Sequence, residues 1–219
     1  MSDFRFSVTM KELPAPRIHP SADIDPSATI GNGSLVWHQV QIREHASIGS
    51  ECTLSKGVYI DRGVTIGNRV KVQNHVSIYQ GVTLEDGFFV GPNATFTNDF
   101  QPRSVTRDGE LRTENDWKVI PTVIREGAAI CANATVICGI TIGKWAMIGA
   151  GAVITRDVPD HALMVGVPAR IMGFVSYSGN RMVEDETPDL SKLTVRMRDL
   201  KSDEIVEIPT ETYQLWKKI

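Results

Sequence analysis

The sequence predicts an all-β protein, a parallel β-helix wound from hexapeptide repeats. Three observations predict it. From Ile18 to Phe96, through Ile24, Ile30, Val36, Ile42 and onward, every sixth residue is Ile, Val, Leu or Phe. After a break the same period resumes in a new phase, from Ile124 through Ile130, Val136, Ile142 and Ile148 to Ile154. The position four residues further on is usually small or apolar, as at Ala22, Ala28, Ala46, Cys52, Ala134 and Ala152. A period of six belongs neither to an amphipathic helix nor to a simple alternating strand.

Each hexad reads as a short strand followed by a turn. The large side chain points into a narrow prism and the small one fills a corner. Gly follows the large residue in Ile30-Gly31, Ile48-Gly49, Ile66-Gly67, Val90-Gly91, Ile142-Gly143 and Ile148-Gly149. Asn, Asp and Gly gather at the turns, where they tolerate unusual backbone. Three hexads close one triangular coil, and coils stack at roughly 4.8 Å. The two runs amount to about six coils and a prism about 30 Å long on that spacing.

The organisation expected is a β-helix domain over residues 18–173, an N-terminal strand or cap over 1–17 and a C-terminal extension over 174–219. Asp3 to Met10 alternates polar and apolar residues, which predicts a strand covering the open first coil. In the extension, Glu184-Asp185-Glu186 reads as a solvated turn. Leu193–Met197 and Glu204–Ile208 read as a hairpin around Lys201-Ser202-Asp203. The default role of the extension is an end cap or a partner contact.

The 219 residues carry a formal net charge of −3, with acids and bases interspersed, which argues against nucleic acid as a partner. Cys52, Cys131 and Cys138 form no metal-type pairing, and so scattered a set suits a reducing compartment. The sequence shows no basic–apolar–small leader pattern and no long apolar run, so a cytoplasmic protein without a membrane partner is expected.

The interruption marks the expected site. The offset from Phe96 to Ile124 is 28 residues where one hexad needs six, so about 22 residues are extruded, from Thr97 to roughly Lys118. A loop of this length in a compact fold is usually functional or disordered, and this one is read as functional. Counting across it stacks Asn74, Pro92, Ala132 and Ala150 in one column. His75, Asn93, Asn133 and Gly151 form the column beside it. Tyr79 falls below Thr97, and Gln80 below Asn98. The polar cluster Gln73-Asn74-His75 is thus expected beneath a strip of small residues and near the root of the loop. The strip leaves room for an extended ligand, and the cluster is where its reactive end would arrive.

Two motifs carry a resemblance. The hexad pattern, with Ile148-Gly149-Ala150-Gly151-Ala152-Val153-Ile154-Thr155-Arg156-Asp157-Val158-Pro159 and Val165-Gly166-Val167-Pro168-Ala169-Arg170, resembles the left-handed β-helix acyltransferases that use acetyl-CoA. A narrower resemblance covers residues 18–173. It rests on Val36-Trp37-His38, Val72 to Tyr79, Gly91-Pro92-Asn93, Phe96-Thr97-Asn98-Asp99 and Pro102-Arg103-Ser104, which look like nucleotide-sugar N-acetyltransferases. The resemblance implies the left hand of the helix, a homotrimer with sites between subunits and acetyl-CoA as co-substrate. It also implies acetylation of the 3-amino group of a UDP- or dTDP-linked sugar during surface polysaccharide (lipopolysaccharide) biosynthesis. Ala132, Ala150 and Thr155 would then meet the pantetheine or nucleotide end of the cofactor, and Arg170 a phosphate. The family often has two Asn residues where this chain has Asn74-His75.

Acetyl transfer to an amine needs orientation, an oxyanion donor and an exit for the proton. Asn98 is the expected positioning residue for the amine, with Asp99 orienting it. His75 is a candidate base and Asn74 its neighbour. Gln73, Tyr79 and Arg103 are candidates for substrate binding. An O-acetyltransferase of serine or a simple sugar, or a non-catalytic β-helix scaffold, are the competing readings. A zinc hydratase on the same helix needs three converging His ligands. The five His residues, at 19, 38, 45, 75 and 161, lack the spacing for it, and no metal is expected.

Overall fold

The computed structural model describes residues 12–218. The strand expected at residues 3–10 lies outside them. The chain winds a parallel β-solenoid with three faces. The first face stacks eight parallel strands, from Arg17–Ile18 to Ala162–Gly166; the second stacks seven and the third six. Within the uninterrupted coils each strand pairs with the third strand after it, as Val36 with Leu54 and Ile60 with Ile78. Three hexads therefore make one coil.

The repeat residues form the core. Leu54, Ile60, Ile66, Val72, Ile78 and Val90 are fully buried, as are the small corner residues Cys52, Val58, Val64, Ala128 and Ala152. The backbone turns at each corner by entering the left-handed region. In the first corner, between the first and second faces, Gln39, Gly57, His75, Asn93, Asn133 and Gly151 all have φ between 57° and 69°.

The phase break is absorbed as counted. Leu84 pairs with Ile124, Val90 with Ile130 and Phe96 with Val136. Each partner stands one coil plus the whole extruded segment further along the chain. That segment runs from the end of strand Thr95–Phe96 to the start of strand Thr122–Ile124, at the second corner, between the second and third faces. It has structure of its own. Val105 and Leu111 bridge in antiparallel fashion, and Arg112 donates to the carbonyls of Gln101 and Asp116. Thr113 and Asp116 close a reciprocal capping box on a 3₁₀ turn at Glu114–Asp116.

Two expectations change. The first face is eight strands deep where about six coils were expected: the hexads themselves supply seven, and Ala162–Gly166 adds an eighth beyond the last hexad. Ile148 pairs with Met164, a step shorter than three hexads, so the period hides it. The stretch Glu184-Asp185-Glu186 is not a solvated turn. Val183–Glu184 is an edge strand of a three-stranded antiparallel sheet with Thr194–Arg198 and Ile205–Pro209. The Asp185 side chain is 8% exposed and held between Arg196 and Arg198. Glu184 accepts from Tyr213 and pairs with Lys217, which hold its carboxyl below the usual range, Lys217 contributing most. Those partners lie well along the chain, beyond any local pattern. The expected hairpin does form between Thr194–Arg198 and Ile205–Pro209. A closing helix, Thr210–Lys217, packs Trp216 edge-on against Phe174.

Candidate active site

The first corner carries the predicted small-residue strip. The Asn93 N–H donates to the Asn74 carbonyl (3.0 Å), the Asn133 N–H to Pro92 (3.0 Å) and the Gly151 N–H to Ala132 (2.9 Å). Asn74, Pro92, Ala132 and Ala150 therefore stand one above another. The pairing of Ile148 with Met164 extends the column to Gly166. Four steps at strand spacing make a track of about 19 Å. Asn74, His75 and Ala150 are exposed, while Gln73 and Ala132 are half-buried. His75 leans downward over Gly57: a Cβ placed on Gly57 would lie 2.5 Å from its Nδ1. Its ring thus faces the coil beneath rather than the strip above.

The second corner carries the loop root. Tyr79, Thr97, Ile137 and Thr155 share one column, and Gln80, Asn98, Cys138 and Arg156 share the next. Thr97 fastens the root to the coil above, its hydroxyl accepting from the Cys138 N–H at 3.0 Å. Asn98 and Asp99 are half-buried. Asp99 accepts from the Gln101 N–H at 2.8 Å, closing a tight Asx turn. Below the root, Tyr79 packs against Tyr59 (5.7 Å between ring centres), whose hydroxyl donates to Asp61 at 3.1 Å. Asp61 also accepts from the Gln80 N–H. Glu44, gripped by Arg43 at 2.9 Å, has its carboxyl pulled down to about 2. Arg103 is exposed on the loop and donates to the Pro102 carbonyl.

The predicted residues thus divide between two corners. Gln73, Asn74, His75, Ala132 and Ala150 lie on the first. Tyr79, Asn98, Asp99 and Thr155 lie on the second, with Arg103 further along the loop. The cluster Gln73-Asn74-His75 is therefore not at the loop root of its own chain. Asn98 follows Asn74 by one coil plus one face, so the two differ by a rung and by a whole side of the prism.

At the top of the prism, Arg170 of strand Ala169–Phe174 and Arg156 of the second corner line a cavity of about 230 Å³ together with Asp157, Pro159, Met164, Ala169, Ile171 and Leu215. Sequence reasoning missed Arg156 and Leu215 as candidates. Arg156 had a signal: it follows Thr155 and stands two rungs above Asn98. Leu215 had none, since it comes from the closing helix. Among the described residues, no three His, Cys, Asp or Glu side chains converge as metal ligands. No helix among them is long and apolar enough to cross a membrane.

Comparison with known proteins bears on this geometry. Residues 121–156 match a family model described as bacterial transferase hexapeptide (six repeats). Residues 46–80 match the hexapeptide repeat of succinyl-transferase. A dTDP-3-amino-3,6-dideoxy-alpha-D-galactopyranose 3-N-acetyltransferase of Aneurinibacillus thermoaerophilus is 54% identical over 54 residues, 25% of this chain and 28% of that protein. A serine acetyltransferase of Salmonella typhimurium is 41% identical over 88 residues, 40% of this chain and 31% of that protein. The matches thus span about a third or less of these relatives' lengths. A crystal structure of a GDP-perosamine N-acetyltransferase variant from Caulobacter crescentus, in complex with CoA and GDP-perosamine, is 25% identical. That comparison covers 74% of this chain and 58% of the other, with a TM-score of 0.49. Hexapeptide-repeat models thus match a stretch in each arm of the solenoid, residues 46–80 before the extruded loop and 121–156 after it, and the chain is similar over those stretches to bacterial hexapeptide-repeat transferases.

Proposed function

We propose that the protein is an acetyl-CoA-dependent N-acetyltransferase acting on the 3-amino group of a UDP- or dTDP-linked amino sugar. In this reading it serves surface polysaccharide biosynthesis in the cytoplasm and works as a homotrimer. The observation that carries the reading is the strip from Asn74 through Ala132 and Ala150 to Gly166. Its length suits an extended pantetheine arm, and its small side chains leave backbone amides within reach. The Arg156–Arg170 cavity fits the other end: two guanidinium groups for phosphate, and Pro159, Met164, Ile171 and Leu215 for a flat heterocycle. The identity with the dTDP-sugar acetyltransferase supports the acceptor class.

In this reading the neutral amine attacks the thioester carbonyl, a C–N bond forms, the C–S bond breaks and CoA leaves as the thiol. Asn98 positions the amine and offers its amide N–H groups to the developing oxyanion. Asp99 holds the turn that aims it. The proton passes to solvent or to His75. Thr155 and Arg170 hold the cofactor, and Gln73, Tyr79 and Arg103 hold the acceptor. Because the two corners lie a face apart, a trimer would bring the loop corner of one copy against the strip of the next.

The test is thiol release from acetyl-CoA against a panel of UDP- and dTDP-amino sugars. Release with a 3-amino sugar is expected, and no release with any amine overturns the reading. The serine acetyltransferase match favours a second reading, O-acetylation of serine. Thiol release with serine but with no amino sugar would select it.

A further inference from the structure

The strip above Asn74 leaves the lower half of the same corner without a role. The column continues downward through Lys56, His38 and Pro20, flanked by Gln73, Ser55, Trp37 and His19. Its chemistry changes sharply on the way. Above Asn74 the corner is Pro, Ala and Gly; below it the corner is cationic and aromatic. His19 stacks on His38 with ring centres 3.6 Å apart. Trp37 lies nearly parallel to His38, at an interplanar angle of 8°. Arg17 sits 5.9 Å from the centre of the Trp37 ring. Trp37 remains 40% exposed, a large aromatic surface that the fold leaves open. Lys56, one rung below Asn74, is exposed and has no ion-pair partner among the described residues. An open cavity of about 520 Å³ runs between His19, Ser21, His38, Gln39 and Lys56. The rungs are held in place, since the Gln39 N–H donates to the Ser21 hydroxyl at 3.0 Å.

We propose that this ladder binds a nucleoside diphosphate, the base against Trp37 and His38 and the diphosphate at Lys56. The inference rests on the acceptor reading above and deepens it. The order of groups along the corner matches the order of groups along a nucleotide sugar. Base, diphosphate and sugar would lie on successive rungs, and the sugar amine would reach Asn74. From His38 to Asn74 is two rungs, about 10 Å at strand spacing. A stacked aromatic platform accepts any base through its π face, and a lysine supplies charge for phosphate without geometric demand. Donor and acceptor would therefore enter the same corner from opposite ends, acetyl-CoA along the small residues and the nucleotide along the aromatic ones.

The test needs no acetyl transfer. Calorimetric titration of UDP and of dTDP into the wild-type protein should show binding. Lys56→Ala and Trp37→Ala should each weaken it about tenfold or more, with Lys56→Arg keeping most of it. Thermal melts establish that these surface variants are folded. In turnover, KM for the nucleotide sugar should rise in both alanine variants while KM for acetyl-CoA stays fixed. The proposal is overturned if the wild type binds neither diphosphate, or if both alanine variants bind as it does. A protein that binds UDP but acetylates no amine keeps the ladder and loses the acetyltransferase reading. One that acetylates amino sugars with unchanged KM in the variants loses the ladder alone.

Discussion

His75 stands where the backbone must be left-handed, with φ of +58°, and Asn93 and Asn133 hold the same conformation in the column above it. Asn adopts that region more readily than most side chains do. His75→Asn therefore removes the imidazole while keeping the corner, whereas alanine would add backbone strain. Because the ring leans over Gly57, away from the strip, the amine reading predicts a fall in kcat of less than about tenfold. A hydroxyl acceptor would need a base, and its loss costs about 10²–10⁴-fold. Asn98→Ala should lower kcat about 10²-fold or more, the usual cost of one oxyanion donor. Steady-state kinetics with an amino sugar, alongside thermal melts, decide both. A His75→Asn protein slowed about 10³-fold with an amine would make His75 the base. Asn98 and His75 were legible as chemistry-bearing residues because they lie beside the break and inside the polar cluster. The direction in which His75 points was not legible, because it depends on Gly57 in the coil below.

At the scale of elements, the extruded hairpin is separable from the coil that carries it. Its internal bonds, from Arg112 to Gln101 and Asp116 and from Thr113 to Asp116, stay within the segment. Excising residues 98–119 returns Ile124 to one hexad after Phe96 and restores the phase of the repeat. The expected product keeps the solenoid, with cooperative unfolding and the far-UV signature of a β protein, but has no acetyl transfer. Aggregation or loss of cooperative melting would mean that the hairpin holds the coils together. The excision tests what a period can reveal. Counting by six placed every solenoid strand up to Ile154 and sized the break, because burial in a prism repeats strictly. It did not reveal Ala162–Gly166, whose shortened step breaks the count. Nor did it reveal the buried Asp185, whose partners Arg196 and Arg198 sit on the neighbouring strand of the sheet. The helix Thr210–Lys217 was missed as well, since its packing on Phe174 is tertiary.

At the scale of the whole molecule, the candidate residues occupy two corners of a triangular prism, and one chain cannot bring them together. A period of six specifies the rung, but only the division of each coil into three sides specifies the face. That is why the Gln73-Asn74-His75 cluster was expected near the loop root that carries Asn98. A closed cyclic assembly would repair the separation, each groove taking Asn74 from one copy and Asn98 from the next. The consequence is complementation. Asn74→Ala and Asn98→Ala homo-oligomers should each be nearly inactive. Mixed oligomers made by co-expression contain some grooves with both residues intact. With random assembly in a cyclic oligomer, one side is intact half the time and the other half the time, so about one quarter of wild-type activity should return. Sedimentation should report a trimer for all three preparations. Were the site built within one chain, every groove in the mixture would still lack a residue, and the mixture would be no more active than its parents.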